Sequence, residues 1–164
     1  MALRDRSELI VWSSSFACGV KLIDDQHKEL VTLVNDMFNH ICGNPAEERA
    51  YFKSVIDKAV KYVKIHFRTE EVIMSKTNFS GLWDHKKTHD GFILEVLEKS
   101  KAFDINGRGA LNDFTKFLKE WILTHIAVMD REYFVYLREV ATKKQNGKLT
   151  ITPADIAKRN RTLS

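Results

Sequence analysis

Two short segments constrain this chain more than anything else in it. His66-Phe67-Arg68-Thr69-Glu70 and, fifteen residues after Glu70, His85-Lys86-Lys87-Thr88-His89 each place two metal-competent side chains at i and i+4. On an α-helix such residues lie one turn apart on the same face. Two pairs so close in sequence predict two helices presenting side chains to one point. His27 before them, and His125 with Asp130 after them, are the further candidates.

The surrounding pattern is helical throughout. Only two prolines and seven glycines interrupt 164 residues, which favours long helices over a strand-and-turn fold. A first helix is expected with Asp24 as its N-cap, carrying Ile23, Leu30, Val34, Met37 and Ile41 in one stripe with His27, and ending at Gly43-Asn44-Pro45. Pro45 suits the first turn of a second helix, which carries Phe52, Ile56, Ala59, Val63, His66, Phe67, Glu70 and Met74 and stops near Thr77-Asn78. A third is expected from Leu82 to about Phe103, and a long fourth from Ala110 to Lys144 with Leu111, Phe114, Leu118, Trp121, His125 and Tyr133. Thr152-Pro153 can cap a short terminal helix. These elements predict an all-α fold, an antiparallel up-down four-helix bundle with an N-terminal arm and a short C-terminal helical extension. The organisation expected is an arm over residues 1–22, with Trp12 plugging the end of the bundle, a bundle over 23–145 and a basic tail over 146–164.

The ligand spacings agree with antiparallel helices. From His27 the chain climbs about 15 residues to the first loop and descends about 21 to His66; from His89 it climbs about 14 and descends about 15 to His125. Equal rise per residue returns each descending histidine near its starting level. All seven candidates are therefore expected in one layer toward one end of the bundle.

Charge narrows the partners. The formal net charge is +4, and residues 138–164 hold seven basic and two acidic side chains, a net of +5 that leaves −1 for the rest. The tail reads as a solvated end and a candidate contact for a protein partner. No aromatics interleave its basic residues, so no nucleic-acid stacking platform is expected. No apolar run reaches the roughly 20 residues that span a bilayer, so no membrane insertion is expected. No secretory signal is read at the N-terminus, and a cytoplasmic protein is expected. Cys18 and Cys42 form no CxxC pair and are expected as buried, reduced thiols.

Five histidines and two carboxylates exceed what one tetrahedral zinc can use. Two octahedral ions need more positions than seven, and sharing Glu70 and Asp130 as bridges, with a solvent-derived oxygen, fills most of them. The vacancy left suits a small ligand, and iron is favoured because such a vacancy beside a redox-active metal binds dioxygen.

The motifs Ile23-Asp24-Asp25-Gln26-His27, His66-Phe67-Arg68-Thr69-Glu70-Glu71, His85-Lys86-Lys87-Thr88-His89 and His125-Ile126-Ala127-Val128-Met129-Asp130, in this order, resemble the hemerythrin family in its bacterial single-domain form, over roughly residues 12–134. The resemblance implies two iron ions in an oxo- or hydroxo-bridged centre, one held by His85, His89 and His125 and the other by His27 and His66, with Glu70 and Asp130 bridging. The two-histidine iron would hold the open position for dioxygen. The resemblance also implies a dry pocket over it, at Leu30, Phe67, Trp121, Ile122 and Ile126, each equally a core residue at helical spacing.

The donor balance bears on chemistry. Oxygen-activating di-iron bundles use more carboxylates, including Glu-x-x-His motifs. Two carboxylates against five neutral imidazoles favour reversible dioxygen binding, for storage, delivery or sensing, over substrate oxidation. The alternatives are a di-iron enzyme acting on peroxide or nitric oxide, and a signalling module read out through the tail. One spacing is awkward: Asp130 lies at i+5 from His125, about 140° around a regular helix, which predicts a π-bulge or a local distortion between them. His40 is read as surface or structural. Glu71 is read as pointing away from the site, solvated or supporting a ligand, and Asp24, Asp25 and Gln26 as capping or supporting groups.

Overall fold

A computed structural model describes residues 8–41, 43–106 and 109–143. The expected terminal helix, the tail over 146–164 and Cys42 lie outside them.

Helix α1 spans Lys21–Asn39, α2 Pro45–Thr77, α3 Leu82–Asn106, α4 Ala110–Thr124 and α5 Asp130–Lys143, with a π-helical turn, His125–Met129, joining the last two. α4, the π turn and α5 together make the fourth helix of the bundle. Contacts run α1 to α2, α2 to α3, α3 to α4 and α4 back to α1, the ring expected of consecutive antiparallel neighbours joined by short loops. No helix among the described residues is long and apolar enough to cross a membrane.

Local chemistry sets the boundaries. Asn44 accepts hydrogen bonds from Ala46 N and Glu47 N at the start of α2, with Pro45 in its first turn. Asn78 ends α2 in the left-handed region at φ 57°, and Phe79 N reaches back to Met74 O at 2.9 Å, closing the end of the helix.

α1 begins four residues earlier than Asp24 as its cap implies. Val20 holds the cap position and Asp24 sits inside the first turn, because its carboxylate accepts from Cys18 N at 2.7 Å and Gly19 N at 3.1 Å. It brackets the arm rather than capping the helix in the ordinary way. Trp12 also departs from expectation. The arm runs back along the side of α1: Ile10 exchanges two 2.9 Å hydrogen bonds with the Asn35 side chain, and Lys28 Nζ lies 5.5 Å from the Trp12 ring centroid. Trp12 therefore packs on the flank of α1, not across the bundle end. Cys18 is buried and free.

The core is divided. A large apolar cluster includes Leu30, Val34, Phe52, Val63, Phe67, Phe92, Phe114, Ile122 and Ile126. A smaller one holds Cys18, Ile23, Ile73, Met74, Tyr133, Phe134 and Leu137. His27 lies between Ile23 and Leu30, Glu70 between Phe67 and Ile73, and Asp130 between Ile126 and Tyr133. A polar layer thus separates the two clusters.

Candidate metal centre

The polar layer contains all seven sequence candidates. His27, His66, Glu70 and Asp130 have no exposed surface, His89 and His125 are 1% exposed and His85 5%. α1 contributes His27, α2 His66 and Glu70, α3 His85 and His89, the π turn His125, and α5 Asp130.

The two carboxylates divide the imidazoles. Glu70 Oε1 lies 3.7 Å from the Nε2 atoms of both His27 and His66. Its other oxygen, Oε2, faces His85 at 3.5 Å, His89 at 3.3 Å and His125 at 3.8 Å. Asp130 repeats the division: Oδ2 lies 3.4 Å from His27 Nε2, and Oδ1 lies 3.2 Å from both His85 and His125. Two groups of donors result, Glu70-His85-His89-His125 and His27-His66-Glu70-Asp130, each with its ligand atoms within 4.8 Å of one another.

These atoms lack partners suited to them. Both oxygens of Glu70, both of Asp130, and the Nε2 atoms of His27, His66 and His85 are buried with no hydrogen-bond partner among the described residues. Buried polar atoms left so are costly and call for an occupant. Convergent carboxylate oxygens and imidazole nitrogens suit divalent cations, with each carboxylate offering one oxygen to each side. The residues fit a two-metal centre.

Supporting bonds set the ring orientations. Thr69 Oγ donates to Ile65 O, so it accepts from Gln26 Nε2 at 3.2 Å. That turns Gln26 Oε1 toward His66 Nδ1, 3.2 Å away, which must be the donor, leaving the Nε2 lone pair facing inward. Tyr62 hydroxyl donates to Gln26 O. On the other side His89 Nδ1 donates to Glu71 Oε1 at 3.1 Å, and Lys86 Nζ lies 3.7 Å from Glu71 Oε2. Glu71 thus supports a ligand candidate, the second of the two roles left open to it. The Thr69 and Tyr62 roles carry no sequence signal, since neither falls at a spacing that marks a site. His40, exposed, stacks on Tyr51 at 3.6 Å, away from the layer.

Protonation follows from the geometry. Burial works against charging His27 and His85, but the neighbouring carboxylates of Asp130 and Glu70 outweigh it and raise both to about 9. Burial dominates at His66 and lowers it to about 4. Burial also opposes ionisation of Glu70, yet the surrounding imidazoles, His66 first among them, hold it well below the usual carboxylate range. Asp130 is lowered too, its histidine neighbours outweighing burial and the repulsion of Glu70.

The expected pocket residues separate into two roles. Leu30, Trp121 and Ile122 line an apolar cavity on the large-cluster side of the layer, where the centre of a water-sized molecule can range over about 20 Å³. Phe67 and Ile126 do not line it. Phe67 stacks on His89 at 3.8 Å with an interplanar angle of 4°, covering the three-histidine side, because it follows His66 by one residue and so faces α3. Ile126 is a core residue beside His125. Trp121 also stacks on His125 at 4.2 Å.

A sequence profile described as "Hemerythrin HHE cation binding domain" matches residues 18–137. A bacteriohemerythrin of Stenotrophomonas maltophilia is 29% identical over 143 residues, 85% of this chain and 91% of that protein. A bacteriohemerythrin of Methylococcus capsulatus is 30% identical over 127 residues, 76% of this chain and 94% of that protein. A crystal structure of wild-type hemerythrin superposes with a TM-score of 0.67 at 29% identity, covering 79% of this chain and 98% of the other.

Proposed function

We propose that this chain, which belongs to the hemerythrin family, is a non-haem di-iron protein that binds dioxygen reversibly. The observation that carries the reading is the division of Glu70 and Asp130, each with one oxygen toward the two-histidine group and one toward the three-histidine group. In this reading His85, His89 and His125 would hold one iron and His27 and His66 the other, with Glu70 and Asp130 each offering one oxygen to either side. A pair of ferrous ions bound there would supply the two electrons that dioxygen takes up.

The chain's own residues do the rest. Gln26 and Glu71 hold His66 and His89 with Nε2 inward. The two-histidine side has one protein nitrogen fewer, so an ion held there would keep a position free. Leu30, Trp121 and Ile122 line a small apolar cavity on one side of the layer, and such a dry surface keeps water and protons away and favours release of the ligand unchanged. Five neutral donors and two carboxylates give little support to high-valent iron, so we read the protein as a binder rather than an enzyme.

Iron-loaded, reduced protein exposed to dioxygen tests this. The expected result is a visible charge-transfer band that appears with oxygen and disappears under argon through repeated cycles, in protein carrying two irons per chain. Immediate irreversible oxidation would overturn reversible binding and point to a di-iron enzyme acting on peroxide or nitric oxide.

A further inference from the structure

The N-terminal arm takes no part in the centre, yet it is fastened at two points, at Ile10 through Asn35 and at Cys18 and Gly19 through Asp24. Between them the turn Ser14–Phe16 packs against the π turn. There it forms one wall of a cleft of about 230 Å³, lined by Ser14 and Ser15 on the arm, Arg131 and Arg138 on α5, and Ile126 and Phe134 at its base. No carboxylate lines the cleft.

Its polar groups are uncommitted. Arg131 makes no hydrogen bond or ion pair with any described residue, and Arg138 makes only a long bond, 3.5 Å, from Nε to Phe134 O. The Ser14 hydroxyl makes no hydrogen bond among the described residues, and Ser15 shares its hydroxyl only with Ser13. Arg131 and Arg138 stand seven residues apart, two turns on the same face of α5, and each guanidinium presents a planar fork of donors. Two guanidinium groups without ion-pair partners and two hydroxyls, in a cleft that no carboxylate lines, match the oxygens of a tetrahedral oxyanion.

We propose that this cleft binds a small oxyanion of the phosphate class, free phosphate or the phosphate end of a small monoester, which clamps the arm across the π turn. The test is titration of inorganic phosphate into the iron-loaded full chain at low ionic strength, followed by calorimetry and by hydrogen exchange of residues 13–17. Saturable binding at one site per chain is expected, with slowed exchange in the arm. The double variant Arg131→Gln/Arg138→Gln should weaken binding by about tenfold or more with unchanged helix content, since both side chains are exposed. A second variant, Lys143→Gln/Lys144→Gln/Lys148→Gln, should bind as the parent does. Absence of saturable binding overturns the proposal. So does binding that survives in the arginine variant, which would place the anion at the metal or elsewhere, or binding lost in the lysine variant, which would place it on the tail. Association only with phosphatidylglycerol vesicles, and not with free phosphate, also overturns it.

Discussion

Two imidazoles in the polar layer are held by quite different outer partners. His66 leans on a neutral amide, Gln26, and His89 on a carboxylate, Glu71. The carboxylate makes His89 the stronger donor. Glu71→Gln should therefore weaken metal retention about 10-fold or more, measured by competition with a chelator, while Lys86→Ala, which removes two partly exposed ion pairs, to Glu71 at 3.7 Å and Asp90 at 3.3 Å, should change it little. Protonation gives a second prediction, for the metal-free chain. His27 and His85 are raised to about 9, so the stability they contribute is complete below the ordinary histidine value of 6.5 and is lost as pH rises through 9. His66 is lowered to about 4, so its contribution is complete above 6.5 and is lost as pH falls toward 4. Thermal melts of metal-free protein should show greatest stability near pH 6.5 and a fall on both sides. At this scale the seven candidates were legible because i, i+4 spacing and equal helical rise are one-dimensional facts. The Gln26–Thr69 hydrogen bond joins residues 43 apart, and no periodicity announces it.

Among the elements, the π turn decides the geometry. One residue beyond a regular turn brings Asp130 onto the face that His125 occupies, which a straight helix would put about 140° away. The angle exposes this in sequence, and the His125–Met129 turn answers it. Inserting one alanine after Asp130, at the start of α5, should rotate everything after it by about 100°. Tyr133, Phe134 and Leu137 would then leave the smaller cluster. A loss of about 3 kcal/mol or more is expected, measured by denaturant unfolding, with most helical signal from α1 to α3 retained. The arm was less legible. An Asp before an apolar stripe signals an N-cap, but tertiary contact with Cys18 and Gly19 redirected Asp24, and the flank of α1 offered Trp12 a cation to cover that sequence alone does not reveal.

Over the whole molecule, a layer of charge and imidazole runs between two apolar clusters. Burying two carboxylates among five histidines costs stability unless something compensates the charge, so metal and fold are coupled. Removing metal with a chelator should lower Tm by on the order of 10 °C, since binding to the folded state alone adds to its stability. Far-UV dichroism at 20 °C should barely change, because much of the large cluster, with Phe52 against Phe114, packs without the ligand side chains. A collapse of helical signal on chelation would show instead that the metal holds the bundle together.

The stacking of Trp121 on His125 at 4.2 Å has an optical consequence. An indole in contact with a metal-bearing imidazole loses its excited state to the metal before it can emit, while Trp83, 72% exposed at the start of α3, goes on emitting at the long wavelength of a hydrated indole. Loading iron should therefore darken the blue side of the emission spectrum and leave the red side nearly unchanged. Trp121→Phe should abolish that change. The chain carries its own fluorescent gauge of how full the centre is.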